Sequence, residues 1–430
     1  GKLITKGAFA FDANGASETI NGLTLFDREE SNPAFNSLLA FVASDYNTGW
    51  MHGNIKGAFL SDTDTTNLSG GNKVTNGDAW SGAQSSTSST PPTGWTGGNG
   101  AQWKTHSGGD GTYIRLVNAG SAQGGPNSYM SQAITTVPGR KYKISVTQYH
   151  HATISVYFRA GTQETYSDLV QNSWTSSSGA TPRYEQNTFT ASGTTTYITL
   201  GIVSGTNNYD TGWDDVVVTE VDEDRSVNAN GLHSFGTITK SPVATGADLV
   251  AYSGFTLINY LRQFYNSDFN FGTGDFCVAV WTKRTNESTQ VILEKGNGTS
   301  NRLYLYISSS NDIRFSCGNQ GTSIYGNLSD TSWHQIVIVR RSGTVYGYVN
   351  GNATSVTSNA QTVTGSTDDE LFIGKTVSSQ YPYSGSIALV RISGSAPSAE
   401  QVKKMYEDEK FLFQENAKAT LYGSSDAVTA

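Results

Sequence analysis

The sequence predicts an all-β protein built from several domains, and three observations carry that expectation. Forty-seven Gly and 9 Pro, dispersed among many Ser, Thr and Asn, cut the chain into short runs separated by turns. Within the runs apolar residues recur at every second position. In Lys141-Tyr-Lys-Ile-Ser-Val-Thr-Gln-Tyr149, for example, Tyr142, Ile144 and Val146 share a face, which is the period of a half-buried strand. Finally, 430 residues is about three times the ~150-residue prior for one domain. With 22 Tyr, 18 Phe and 8 Trp, the chain has the aromatic mass to fill cores, which excludes a disordered polar polypeptide.

Residues 1–70 read as short strands at 3–11, 23–26, 38–43 and 55–60. The segment is poor in bulky residues, so it is expected to be an N-terminal attachment or assembly platform that joins other copies or further sequence. Low-complexity stretches at 68–72 and 81–93 read as solvated connectors. Residues 71–224 follow as a first sandwich, with strands expected at 112–116, 142–148, 153–158, 195–202 and 216–221. The charge run Glu220-Val-Asp-Glu-Asp-Arg225 is taken as its boundary.

Residues 225–410 form a second sandwich with stronger strands, including 275–283, 302–308, 333–341 and 385–392. One helix is expected in the whole chain. Ser398-Ala-Glu-Gln401 after Pro397 makes a capping box, and Val402, Met405 and Tyr406 follow on one face. Residues 411–430 read as an extended segment leading to more β structure or an assembly contact.

Charge and hydropathy narrow the function. A net charge of −8 without a basic cluster leaves no footprint for a nucleic-acid backbone. No apolar run approaches the ~18 residues of a membrane-spanning helix, so no membrane insertion is expected. The chain starts at Gly1 without an apolar signal region and ends at Ser424-Ser-Asp-Ala-Val-Thr-Ala430 without a closing element, so it reads as processed or as part of a longer protein. Cys277 and Cys317 are compatible with two buried thiols or with one bridge.

The second sandwich resembles the concanavalin A-like, laminin G-like lectin fold. The resemblance rests on Asp275-Phe-Cys-Val-Ala-Val-Trp281, Ser332-Trp-His-Gln-Ile-Val-Ile-Val-Arg340, Gly347-Tyr-Val-Asn-Gly351, Leu371-Phe-Ile-Gly374 and Tyr383-Ser-Gly-Ser-Ile-Ala-Leu-Val-Arg-Ile392, in that order. It departs from that family at Ala388 and Leu389, where an acidic pair is common. The first sandwich is similar to the jelly-roll carbohydrate-binding modules at Val74-Thr-Asn-Gly-Asp-Ala-Trp80 and Gly212-Trp-Asp-Asp-Val-Val-Val218. That likeness implies a structural Ca²⁺ near Asn76, Asp78 and Asp215. Taken alone, Asp214-Asp215 also reads as a solvated strand start. The connecting segments 46–64 and 411–426 resemble those of tail-fibre-like virion proteins of tailed bacteriophages.

No catalytic signature emerges. Glu220, Asp222 and the acids beside them approach the Glu-x-Asp-x-x-Glu string of sandwich glycosidases, but Arg225 stands at its last place. Asp27-Arg-Glu-Glu30 and Asp368-Asp-Glu370 read as solvated turns. His150 and His151 are neighbours whose rings should diverge on a strand, and zinc spacings, phosphate loops and nucleophile elbows are missing.

Carbohydrate binding through exposed rings and their polar neighbours is therefore the expected activity. The candidates are Trp95, Trp103, Tyr149, His151, Tyr157, Arg159 and Trp174 in the first sandwich and Tyr325 and Tyr381 in the second, with Tyr265 and Tyr383 also in loose sequence. Trp281 and Trp333 are expected in the core. The expectation is a non-enzymatic phage virion protein, a tail fibre or surface appendage, that contacts host-surface glycans or neighbouring virion subunits as a homotrimer or higher symmetric assembly. A secreted bacterial cell-surface adhesin is the alternative, and a glycoside hydrolase a more distant one.

Overall fold

The computed structural model describes residues 53–419 except 79, 81–87, 99–100, 109–110, 119–127, 178–181, 205–209, 297–301, 320, 329 and 366–368, together with the strand backbone of 19–20, 23–26 and 39–44. The chain is 54% strand with several antiparallel sheets, and the described residues include one short C-terminal helix. The strand expected at 3–11, the acids at 27–30, most of 81–93 and the residues after 419 lie outside the described residues. Among the described residues no helix is long and apolar enough to cross a membrane.

The first sandwich sets two five-stranded layers face to face. One layer runs Arg183–Thr190, Lys141–Tyr149, Asp210–Asp222, Gly111–Asn118, Ala101–Gly108, and the other runs Val170–Thr175, Ser155–Gly161, Thr195–Ser204, Tyr129–Thr135, Thr96–Gly98. Alternation explains the core: Tyr142, Ile144 and Val146 point inward from one layer, and Val156, Phe158, Ile198 and Leu200 meet them from the other. Trp80, Trp95, Trp103 and Trp213 are buried in the same core.

The second sandwich stacks a layer of Leu232–Phe235, Tyr260–Gln263, Glu370–Ile373, Gln290–Gly296, Arg302–Ile307, Asp312–Gly318 and Ser323–Asn327 on a second layer. In that second layer Phe276–Arg284 lies between His334–Arg341 and Gly385–Ser393. Asn350 and Gly351, both at positive φ, turn Thr344–Val349 back into Asn352–Ser358, as the Asn-Gly pair predicts. Cys277 and Cys317 are free and buried in different apolar clusters.

Two boundaries drawn from sequence are crossed. Ile55–Phe59, placed in an N-terminal platform, pairs antiparallel with Gly385–Ser393, and Leu68–Ser69 pairs with Thr237–Pro242. The reason is burial on both sides: Ile55 and Ala58 pack on one face of that layer, Phe59 and Leu60 on the other. An apolar strand of this kind needs an interior place, and the second sandwich supplies it. Leu39–Ser44 pairs in parallel with Lys418–Ala419 near the far end of the chain.

The charge run at 220–225, taken from sequence as a boundary, lies within continuous structure. Asp210–Asp222 carries on past the first sandwich to pair with Leu232–Phe235 of the second, so one sheet of 12 strands crosses the junction. The acids there are buried fasteners. Glu220 Oε2 accepts Ser69 N at 2.7 Å, Asp222 Oδ2 accepts Leu60 N at 2.8 Å, and Asp224 Oδ1 accepts Ala58 N at 2.8 Å. Burial pushes the Asp222 carboxyl up to about 6, and charge-assisted bonds to backbone N–H groups offset that cost.

The C-terminal helix α1, Ala399–Glu409, starts where the capping box places it. Gln401 N donates to Ser398 Oγ at 3.2 Å and Ser398 N donates to Gln401 Oε1 at 2.7 Å. Val402 and Met405 are buried against the sandwich, and Trp281 is sandwiched between Tyr406 and Phe413 at 5.6 and 4.1 Å. Ala388 and Leu389, the apolar replacements in the lectin-like strand, are buried in the same cluster as Trp281 and Leu412.

Candidate functional site

The strongest aromatic surface comes from the strand Arg302–Ile307. Its alternation buries Leu303, Leu305 and Ile307 and turns Arg302, Tyr304 and Tyr306 outward. The two Tyr rings stack at 4.6 Å, and the Arg302 guanidinium sits 4.7 Å from the Tyr304 centroid. Glu294, opposite Tyr304 in register, holds the group from beneath: it lies 3.8 Å from Arg302 and accepts Val377 N at 3.0 Å. Burial pushes its carboxyl up.

Tyr381 stands beside Tyr304 and is the most exposed ring of the group at 48%. Its carbonyl accepts Val291 N at 3.0 Å, which ties its loop to the neighbouring strand. Arg314, opposite Tyr306 and paired with Asp312 at 3.1 Å, closes the far side. Three rings and two guanidiniums thus share one sheet face. Sequence reasoning selected Tyr381 but missed Tyr304, Tyr306 and Arg302, although the strict alternation Arg-Leu-Tyr-Leu-Tyr-Ile carried the signal.

The other sequence candidates divide by burial. Trp95, Trp103, Tyr157 and Tyr325 lie in cores or beneath other groups and present no open ring. Trp95 packs on Trp80 and donates Nε1 to Asn76 O at 3.0 Å. Trp103 packs over Gly97, where a Cβ would lie 2.1 Å from the ring. Tyr157 lies over Gly201 and is capped by Arg159 at 3.8 Å, and Tyr325 packs edge-on to Phe315. The aromatic alternation that marks a sugar platform marks a core equally well, and in these four the core reading prevails. Tyr383 is buried too, and Tyr265 is half-buried.

Tyr149 and His151 do come together, through Tyr113. Tyr113 and Tyr149 stack at 4.1 Å, and Tyr113 Oη meets His151 Nε2 at 2.9 Å. Gly212 permits this stack, because a Cβ there would lie 2.7 Å from the Tyr113 ring and 2.7 Å from the Tyr149 Cβ. His150 turns away to Ser176 Oγ at 2.8 Å. Trp174 is half-buried, donating Nε1 to Gln148 Oε1 at 3.2 Å, with Arg183 5.2 Å from its ring.

Among the described residues, Asp78, Asp214 and Asp215 bring carboxylate oxygens within 4.8 Å of one another. The set shares Asp78 and Asp215 with the expected Asn76, Asp78 and Asp215 and adds Asp214; the side-chain nitrogen of Asn76 donates to Thr93 O at 3.0 Å. Asp214, the buried member, accepts Trp80 Nε1 at 3.0 Å. Its carboxyl is pushed up to about 7, first by burial and then by the charges of Asp215 and Asp78. Three hard oxygens whose mutual repulsion a cation would relieve fit Ca²⁺.

The acids of the 220–225 run are engaged structurally: Glu220 accepts Ser69 N and pairs with Arg140 at 3.0 Å, Asp222 accepts Leu60 N, Glu223 pairs with Lys141 at 2.9 Å, and Asp224 accepts Ala58 N.

Residues 262–403 match a laminin G-type family model described as the Concanavalin A-like lectin/glucanases superfamily. Among curated proteins none matches the sequence. Solved structures with local similarity include the binding domain of Paraclostridial Mosquitocidal Protein 1, at 14% identity and TM-score 0.35 over 43% of this chain and 49% of that one. Domain 4 of an extracellular arabinanase from Geobacillus stearothermophilus, in complex with arabinotriose, has 16% identity and TM-score 0.32 over 40% and 82%. The heptameric SAP-like pentraxin of Limulus polyphemus has 14% identity and TM-score 0.29 over 39% and 82%. The chain spans about half the length of the first of these.

Proposed function

We propose that this chain is a non-enzymatic glycan-binding protein and that Tyr304, Tyr306 and Tyr381 form its sugar platform. The observation that carries the reading is the stacked, outward Tyr304–Tyr306 pair with Tyr381 beside it and Arg302 across the ring. Sugars offer apolar C–H faces to such rings and hydroxyl oxygens to guanidinium donors. Arg302 and Arg314 supply those donors, and Glu294 positions Arg302.

The acids near the platform favour binding over hydrolysis. Glu294 is buried and takes the Val377 amide, and Asp312 is spent on Arg314. An acid couple free to flank a glycosidic bond needs both carboxyl groups facing the substrate.

The setting we propose is the surface of a tailed-bacteriophage particle, where the two sandwiches act as a tail-fibre or appendage module in a homo-oligomer with other virion proteins. The resemblance of the connecting segments 46–64 and 411–426 supports that setting. A Ca²⁺ held by Asp78, Asp214 and Asp215 would supply charge neutralisation at the start of the first sandwich, and no binding step is assigned to it.

The test is a bacterial surface-polysaccharide array probed with the full chain and with Tyr304→Ala and Tyr381→Ala. Each variant is expected to lose binding by about tenfold. Absence of any bound glycan at about millimolar ligand would favour a purely architectural role.

A further inference from the structure

The face between the two sandwiches carries a second concavity that the Tyr304 platform does not explain. Two adjoining hollows of about 520 and 510 Å³ share Thr188 and Ala229, and each falls within the ~300–1,000 Å³ range of small-molecule sites. One wall is the edge strand Arg183–Thr190 of the first sandwich. The other is the 223–231 segment that leads into the second, with Asp268 at its end.

The charges lining this groove are already engaged. Lys141 pairs with Glu223 at 2.9 Å, and Asp268 with Lys56 at 3.3 Å. Lys143 donates to Asn230 Oδ1 and Gly231 O. Asp224 accepts from Ala58 N, Ser226 N, Ser226 Oγ and Asn230 N. Asp168 accepts from Thr162 N and Thr162 Oγ1. What remains toward the groove is uncharged and mixed, with Thr188, Thr190 and Asn228 beside the apolar Leu169, Phe189 and Val221, and one group in it is costly as it stands: Gln186 Oε1 is a buried acceptor without a donor.

We propose that this groove is a second glycan site, taking a neutral oligosaccharide chain across the junction of the two sandwiches. An anionic ligand would have to displace Glu223 or Asp268 from its partner, and an apolar one would bury Thr188 and Gln186 unpaired. A sugar hydroxyl is both donor and acceptor: it can donate to Gln186 Oε1 and bond the Thr188 hydroxyl in either sense. The groove offers no open aromatic ring, so recognition here is by hydrogen bonds, unlike that at Tyr304. The site does not depend on the Tyr304 platform, and either can fail alone.

The experiment uses the full chain with a panel of neutral hexasaccharides of glucose, mannose, xylose, arabinose and N-acetylglucosamine. It reads affinity by calorimetry and hydrogen exchange of peptides covering 183–190 and 223–231. At least one sugar is expected to slow exchange in both peptides. Thr188→Arg, which fills the groove, and Gln186→Leu, which removes the acceptor, are each expected to weaken that sugar about tenfold or more. Tyr304→Ala is expected to leave the protection unchanged.

The proposal is overturned if no sugar at about 10 mM protects these peptides, or if protection survives both groove variants in folded protein. It is equally overturned if extended peptides, and none of the sugars, protect the edge strand. Protection lost in Tyr304→Ala but kept in Thr188→Arg would assign the sugar to the platform and remove it from the groove.

Discussion

At the scale of single residues, Asp214 shows how a local backbone feature creates chemistry that residue order conceals. On a regular strand consecutive acids point to opposite faces, so Asp214 and Asp215 should not share an ion. The pairing of Asp210–Asp222 with Lys141–Tyr149 slips between Ser145 and Thr147, and Asp215 takes φ 48° at that bulge. The bulge re-aims one side chain and gathers both carboxylates with Asp78, a turn that the string Gly-Trp-Asp-Asp-Val did not disclose. The Asp214 carboxyl, ordinarily at 3.8, is raised to about 7. Between those values the cation-free folded chain keeps a proton that the unfolded chain has shed, so stability falls as pH rises through this window. Calcium needs the ionised form, and its affinity should therefore climb as pH passes about 7. Thermal unfolding with added Ca²⁺ or with EDTA is expected to show a calcium-dependent rise in midpoint at pH 8 and little at pH 5. Asp214→Asn should abolish that rise and flatten the acid-side slope.

At the scale of elements, helix α1 was legible because capping is local, whereas its anchor was not because the anchor is tertiary. Ser398 and Gln401 announce the start of the helix, but nothing nearby announces that Glu409 reaches the fully buried Arg391. Trp281 Nε1 and Gln335 Nε2 donate to the same carboxylate. An acid at a helix C-terminus opposes the helix dipole, so this contact outweighs a local preference. Glu409→Ala would strand the Arg391 charge in the core and is expected to cost about 3–5 kcal/mol in urea unfolding, with Glu409→Gln closer to the parent. Loss of the Trp281 fluorescence change on unfolding would report release of the helix. Ile55–Phe59 was misplaced for the same reason: its pattern marks a strand buried on both faces, but its partner Gly385–Ser393 lies more than three hundred residues away. Periodicity fixes which way a side chain points and leaves open which strand lies alongside. Tyr304 and Tyr306 were accordingly legible as outward rings, while the nearness of Tyr381 was not.

At the scale of the whole molecule, the continuous strand Asp210–Asp222 runs from the sheet of one sandwich into that of the other. Val221 and Asp222 pair with His233 and Leu232 across the junction, while Asp222 and Asp224 fasten the 55–60 stretch to the same place. Lys143 seals the joint from the first sandwich, and burial lowers its ammonium from 10.5 to about 7. Above pH 7 the unfolded chain alone keeps that proton, so the joint contributes more stability as pH rises toward 9. Beyond pH 9 the buried thiols Cys277 and Cys317, pushed up to about 12 and 11, act in the opposite sense, because the unfolded chain then loses protons that the folded one retains. Calorimetry is expected to show one cooperative transition whose midpoint rises between pH 7 and 9, and Lys143→Met should flatten that rise. Val221→Pro removes a backbone donor within a paired interior strand, which a ladder does not tolerate. If the shared strand is what couples the sandwiches, that variant should split the single transition into two, each tracking one core. A parent chain that already melts in two separate steps would show that the common sheet transmits no cooperativity across the junction.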